Sequence, residues 1–170
     1  MKRPIYRSLI AAFVTVAAAV IAHAENSAQA LKLVREKTGF EERLYERVSG
    51  PYDQCVSDVM PLKYELTGDN VVLHLGERFI FADLAQSGYV DTSDPQCRVQ
   101  VTTDLAQGLI TQKTINDCKS PSDSFQYTQQ LRFSNGLLTY THEYRAKIVG
   151  KAGEETSHFT CVFKAQEKSQ

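Results

Sequence analysis

The side chains best suited to chemistry in this 170-residue chain lie in one short stretch of it. They combine phenol hydroxyls, a carboxamide and an imidazole, and they are Tyr127, Gln129, Tyr140, His142 and Tyr144. Such groups donate and accept hydrogen bonds on an otherwise apolar surface, which is how a cavity orients a small ligand. They could act together only if the fold presents all five on one face.

The same stretch predicts a β-hairpin that brings these groups together. Asn135-Gly136 is the pair that tolerates positive φ at both centres of a two-residue turn, and an alternating strand flanks it on each side. If Ser134 pairs with Leu137, the apolar and aromatic side chains fall on one face, together with Gln129 and His142, and the opposite face is wholly polar. A slip of one residue would destroy that separation, so the pattern specifies the register. All five candidate residues then face inward.

Two interpretations of this inward patch stay open. In the first, the patch lines a cavity that holds a small, partly apolar ligand. In the second, the hydroxyls and the imidazole bond to one another within a packed core. In both, a neutral, inward His142 is expected to resist protonation at mildly acidic pH.

The sequence carries no catalytic motif, so we expect neither an enzyme nor a cofactor. His142-Glu143 begins like the H-E-x-x-H motif of zinc proteases, but the second histidine is replaced by Ala146 and the segment reads as a strand. His74 and His158 alternate to outward faces, so no metal site is expected. No G-x-S-x-G motif occurs, and the acidic loop residues lack the spacing of an EF-hand.

Residues 1–24 are predicted to be an export signal. Three basic residues precede an apolar run, Leu9–Ile21, and Ala22 and Ala24 supply the small side chains that signal peptidase recognises. The run is shorter than the ~20 residues that a membrane-spanning helix needs. We therefore expect a mature chain that begins at Glu25, carries no membrane anchor and is periplasmic or extracellular.

The charge of the mature chain narrows the choice of partner. The signal removes three of the 19 basic residues and none of the 20 acidic ones, which leaves a formal net charge of −4. Mild and dispersed acidity argues against nucleic acid or an anionic membrane. The expected partner is a small molecule or another exported protein.

The four cysteines predict two disulfides, since an even number in an oxidising compartment is usually paired. Three pairings are possible. Cys97 begins one predicted strand and Cys118 follows its hairpin partner, which favours a Cys97–Cys118 bond. Cys55 would then pair with Cys161 and join the first strand to the last, which are neighbours in an up-and-down barrel.

The pattern of hydrophobic residues divides the mature chain into a helical segment, 25–48, and a β-barrel domain, 49–170. Asn26–Lys37 has helical spacing and Gly39 can end the helix. For Phe40–Val48 a further helical turn and an extended chain both stay open. Beyond Gly50 the period changes to two, which predicts a mainly β fold. We expect an antiparallel meander closed into a barrel of about eight strands, with a two-sheet sandwich as the alternative.

Gly50-Pro51-Tyr52 resembles the G-x-W motif that opens lipocalins, with tyrosine in place of tryptophan. A short helix before the motif, a meander of about eight strands and a disulfide from late to early chain are also lipocalin-like. The resemblance covers about residues 40–165. It implies a barrel that binds small apolar molecules.

These observations lead to two functional expectations. The first is an exported barrel that binds a small ligand through the five inward residues. The alternative is an exported protein-binding module, such as an inhibitor of a wall-degrading enzyme or a protease, since small exported barrels that inhibit lysozyme share this architecture. Its site would lie on the loops Ala85–Gln96 or Ile115–Ser124.

Overall fold

The computed structural model describes residues 27–167 except 56, 69, 86–87, 92–93 and 120–122. The predicted export signal, residues 1–24, lies outside the described residues. Within these ranges the chain forms helices α1 (27–38) and α2 (Tyr52–Cys55) and ten strands. The strands are β1 (Leu44–Ser49), β2 (Val59–Thr67), β3 (Asn70–Leu75), β4 (Phe79–Phe81), β5 (Tyr89–Asp91), β6 (Cys97–Ala106), β7 (Leu109–Cys118), β8 (Ser124–Ser134), β9 (Leu137–Lys147) and β10 (Glu155–Ala165).

All ten strands belong to one antiparallel sheet with the order β4-β3-β2-β1-β10-β9-β8-β7-β6-β5. Strands adjacent in the sheet are consecutive in the chain except β1 and β10, so the first and last strands pair. The predicted mainly β, antiparallel meander is confirmed. The closed barrel of about eight strands is not confirmed, because the described sheet has ten strands and its ladder of backbone hydrogen bonds is open between β4 and β5.

The β8–β9 hairpin has the predicted register throughout. Asn135 and Gly136 have φ angles of 54° and 77°, as a tight two-residue turn between twisted strands requires. Ser134 pairs with Leu137, and the pairing continues to Ser124 opposite Lys147. Local turn chemistry and the alternation of apolar side chains therefore determine this part of the sheet.

Helix α1 covers one end of the sheet, which we call the closed end. Ser27 Oγ donates to the carbonyl of Gly68 in the β2–β3 turn at 3.2 Å, and the amide of Gly108 in the β6–β7 turn donates to the carbonyl of Thr38 at 2.7 Å. Val34, on the same face of the helix, is 1% exposed. Gly39 ends the helix with a φ of 64°, as expected. The β8–β9 turn lies at the same end, because alternate turns of a meander share an end.

The connections β5–β6, β7–β8 and β9–β10 lie at the other end of the meander, which we call the open end. The core lies nearer the closed end and contains side chains from both halves of the sheet. Its largest members, all below 2% exposure, include Tyr45, Leu62, Leu73, Phe81, Ile110, Leu131, Leu138 and Phe163.

Several predicted boundaries differ from the structure. The sheet begins at Leu44, before the predicted start of the β domain at residue 49, so the extended alternative for this stretch is the one observed. Strand β1 has a register irregularity between Arg47 and Ser49 that obscures its alternation. Strand β5 lies inside the predicted loop Ala85–Gln96. Much of the predicted loop Ile115–Ser124 belongs to β7, which extends to Cys118.

Candidate functional site

The five predicted site residues all lie on the inner face of β8 and β9, as the register requires. Tyr127 pairs with Tyr144, Gln129 with His142, and Leu131 with Tyr140. Their surroundings divide them into two groups. Gln129 and Tyr140 are 5% and 2% exposed, whereas Tyr127, His142 and Tyr144 are half-buried.

Gln129 is buried because edge strand β4 lies across it. Its Nε2 donates to the carbonyl of Ile80 in β4 at 2.8 Å and to Oε1 of Gln112 at 2.8 Å. Both hydrogens of the amide are thereby used, and the β4 carbonyl that faces away from β3 gains a donor. The side chain thus compensates for a missing neighbouring strand.

Gln112, on β7, extends the same arrangement. Its Nε2 donates to the carbonyl of Ala82, just after β4, at 2.6 Å and to Thr103 Oγ1 at 3.0 Å. Gln112 and Thr103 are 3% and 7% exposed. Where β4 and β5 do not pair, two glutamine side chains therefore tie β4 to the opposite side of the sheet. We call Gln112, Gln129 and Tyr140 the buried patch.

Tyr140 packs against β4 through its ring. The ring stacks on Phe79 with a centroid distance of 4.0 Å and meets Phe81 edge-on at 6.1 Å. Its hydroxyl donates to Gln129 Oε1 at 3.4 Å. Burial, and to a lesser extent the neighbouring Tyr127, raises the pKa of Tyr140, so the phenol keeps its proton. Tyr140 is therefore a core residue that packs against β4.

Toward the open end the inner face carries a row of half-buried rings that we call the aromatic wall. Its members are Phe125, Tyr127, His142, Tyr144 and Phe159. His142 lies between Phe159 and Tyr127, with centroid distances of 5.1 and 6.0 Å and interplanar angles of 23° and 17°. Phe125 continues the row, 6.3 Å from Tyr127 and 6.4 Å from Tyr144. The result is an apolar surface with polar edges, only partly shielded from solvent.

His142 connects the two groups. Its Nδ1 lies 3.4 Å from the hydroxyl of Tyr140. Burial, followed by the effect of His158, lowers the pKa of His142 below its ordinary value of 6.5. The imidazole is therefore neutral at pH 7, as expected for an inward histidine. His158 is exposed, and the outward His74 lies with its Nε2 3.1 Å from Glu65 Oε2.

Sequence reasoning missed several residues of this region. Gln112 and Thr114 lie on β7, whose inward face could not be assigned because Leu109 and Ile110 are both apolar and the buried positions that follow are polar. Thr114 pairs with Tyr127, and its buried Oγ1 has no hydrogen-bond partner among the described residues. Phe125 and Phe79 are ordinary apolar residues whose ring contacts no sequence pattern distinguishes from core packing.

The predicted disulfide pairing is confirmed. Cys55 bonds to Cys161 and Cys97 to Cys118, and no free cysteine occurs in the described ranges. Cys55 lies in α2 rather than on the first strand, so that part of the prediction was wrong. The chain can approach the Cys55–Cys161 bond this closely because residue 50 is glycine. The φ of Gly50 is 123°, and a Cβ at this position would lie 2.5 Å from Cys55 Sγ.

The connections at the open end enclose shallow clefts. One of about 520 Å³ lies between the β7–β8 and β9–β10 connections, with Asp117, Ser124 and Val149 among its lining residues. Another of about 440 Å³ surrounds the Cys97–Cys118 bond. Val149, in the β9–β10 connection, is 51% exposed and Val90, on edge strand β5, is 45% exposed, so each presents an aliphatic side chain to solvent.

Comparisons leave the identity of the chain open. No protein-family model, curated protein or solved structure matches it. The lipocalin resemblance therefore stays a prediction. Tyr52, at the position of the lipocalin tryptophan, lies in α2, is 69% exposed and has the guanidinium of Arg47 4.6 Å from its ring centroid.

Metal ligands and membrane-spanning helices are the last features of the described part of the chain. No group of three histidine, cysteine, aspartate or glutamate side chains there is placed to hold a metal ion. None of the helices in that part is long and apolar enough to cross a bilayer.

Proposed function

We propose that this protein is an exported binding module for a small, partly apolar ligand that rests on the aromatic wall. The observation that carries the proposal is the change along one face of the hairpin from fully packed to half-exposed rings. Tyr140 is enclosed by Phe79 and Phe81, while Tyr127 and Tyr144 are half-buried and have no such cover among the described residues. Aromatic side chains left at a rim in this way offer stacking partners and hydrogen-bonding tips to a ligand.

The proposal gives the five residues different roles. Tyr127, His142 and Tyr144, joined by Phe125, would contact the ligand. Gln129 and Tyr140 would support them by holding β4 in place. We also propose that the curled sheet functions as a barrel, since Gln112 and Gln129 bond to β4 where a pairing strand is missing.

Export is part of the proposal. Two disulfides fit an oxidising compartment. The predicted signal would direct the chain there, and Edman sequencing of the secreted protein should then begin at Glu25. Retention of residues 1–24 in the mature protein would contradict this part of the account.

Binding can be tested with Nile red, an uncharged apolar dye whose fluorescence rises when it leaves water. The dye should bind the wild type, and Tyr127→Ser should reduce the affinity about tenfold, because a stacking surface is lost. Thr128→Ser is the matched control, since the next residue along β8 points to the opposite face. Failure of the dye to bind, or equal loss in both variants, would contradict the proposal.

The alternative is a protein-binding module whose site is formed by the connections at the open end. The exposed Val149 in the β9–β10 connection and the exposed Val90 on edge strand β5 favour it. The Cys97–Cys118 bond, which joins the ends of β6 and β7 where two connections begin, favours it as well. Affinity capture from periplasm or culture fluid distinguishes the two functions. A Val149→Asp variant should lose a protein partner but keep Nile red, and His142→Ala should do the reverse.

A further inference from the structure

We infer that His142 presents an unprotonated Nε2 at the aromatic wall and so selects flat, uncharged ligands that carry a hydrogen-bond donor, such as a phenol. This inference rests on the proposed function and specifies the ligand class. It follows from a chain of hydrogen bonds whose direction is determined at its far end, by the backbone of β4 and the residue that follows it.

The orientation of the Gln112 and Gln129 amide groups determines which atoms donate and which accept along this chain of hydrogen bonds. Gln112 Nε2 lies 2.6 Å from the carbonyl of Ala82, and Gln129 Nε2 lies 2.8 Å from the carbonyl of Ile80. A backbone carbonyl can only accept a hydrogen bond, so the NH₂ group of each amide must face β4. This excludes the flipped orientation of either amide. Gln129 Oε1 is therefore the atom that faces Tyr140.

The hydroxyl of Tyr140 determines the direction of the next hydrogen bond in the chain. Gln129 Oε1 can only accept, so the 3.4 Å contact between it and the hydroxyl of Tyr140 requires the phenol to donate. Burial raises the pKa of Tyr140, so the phenol carries that proton at neutral pH. A phenol has one hydrogen, and it is used by Gln129. Toward His142, the oxygen of Tyr140 can act only as an acceptor.

The tautomer of His142 follows. Its Nδ1 is 3.4 Å from the oxygen of Tyr140, so Nδ1 must carry the hydrogen and donate it. The imidazole is neutral at pH 7, because burial lowers its pKa. A neutral ring with its hydrogen on Nδ1 has a lone pair on Nε2. Among the described residues, Nε2 has no hydrogen-bond partner.

The surroundings of His142 indicate an uncharged ligand. The titratable groups on the same face are Tyr127 on β8 and Tyr140 and Tyr144 on β9. Besides burial, the charge of His158, on the outward face of β10, lowers the pKa of His142, and Arg78, in the β3–β4 turn, acts on Tyr140. The wall itself consists of phenyl and phenol rings with a neutral imidazole between them. A flat molecule could stack on these rings while its O–H or N–H group donates to Nε2.

Two probes with the same ring system test the selectivity. 2-Naphthol carries a hydroxyl donor, and 2-methoxynaphthalene has the donor replaced by a methyl ether. Wild-type protein should bind 2-naphthol about fivefold more tightly, as one added hydrogen bond predicts. In His142→Phe the two affinities should become equal. Equal binding of both probes by the wild type would overturn the inference alone, whereas binding of neither would overturn the proposed function with it.

The tautomer can be measured without any ligand. In ¹⁵N NMR spectra of the wild type at neutral pH, His142 should show a protonated Nδ1 and an unprotonated Nε2. Tyr140→Phe removes the acceptor while keeping the ring, and His142 should then return toward the tautomer mixture of free imidazole. A hydrogen on Nε2 in the wild type, or spectra identical in Tyr140→Phe, would overturn the inference.

Discussion

The buried patch and the aromatic wall share strands β8 and β9 and one face, and both contain tyrosine, yet they differ in role. Gln129 and Tyr140 are covered by β4 and the residues that follow it, and every polar tip there has a partner within the protein. On the same strands Tyr127 lies two residues from Gln129 and Tyr144 four residues from Tyr140, both nearer the open end and beyond that cover. Residue type alone does not make a site, because what packs across the face decides which tyrosines support the fold and which meet solvent.

The largest expected effects come from removing the two disulfides, one of which lies in the core and the other at the open end. Replacing Cys55 and Cys161 by alanine opens a loop of 106 residues, and replacing Cys97 and Cys118 opens one of 21. By loop-closure entropy we expect losses of nearly 5 and about 3 kcal/mol in the free energy of unfolding. Urea unfolding at one pH measures both, and an equal or reversed order would contradict the assignment.

Gln129→Leu should have the next largest effect. The leucine leaves the carbonyl of Ile80 and Oε1 of Gln112 without their donor, and each orphaned buried acceptor costs about 1–3 kcal/mol. We expect a loss of about 3 kcal/mol in urea unfolding. Gln130→Leu, on the opposite face of the same strand, is the control and should change stability by less than about 1 kcal/mol. Similar losses in both variants would show that the amide does not hold β4.

The smallest expected effect is the pH dependence due to His142. Its pKa is lowered on folding, so below the ordinary value of 6.5 the unfolded state binds more protons than the folded state. This contribution to stability is complete above that pH and declines as the pH falls toward the folded pKa. Between about pH 7 and pH 5 the wild type should lose more stability in urea unfolding than His142→Phe. A parallel decline in the two proteins would contradict it.

Sequence patterns predicted the hairpin well because its determinants are local. Asn135-Gly136 specifies the turn, and the alternation on both sides permits a single register. The cysteine pairing was predictable for a similar reason, since Cys97 and Cys118 are the paired ends of consecutive strands, β6 and β7.

The rest depended on tertiary contacts. Strand β5 is too short, at three residues, to show alternation within a loop of glycine, serine and aspartate. The irregularity in β1 and the buried polar residues of β7 conceal their inward faces. Most importantly, the alternation of apolar residues does not predict which strand packs across the inner face. It therefore could not indicate that β4 covers Gln129 and Tyr140 but not Tyr127. The face that carries the candidate site was therefore predictable, but the division of that face into the buried patch and the aromatic wall was not.

The difference between patch and wall can be measured directly by titrating ¹⁵N-labelled protein with 2-naphthol and following its backbone amides. The amides of Tyr127, His142 and Tyr144 should shift in a saturable manner, while those of Leu131 and Leu138, deep in the core, should stay in place. Equal shifts at Leu131 and Leu138, or shifts confined to the connection around Val149, would contradict the account.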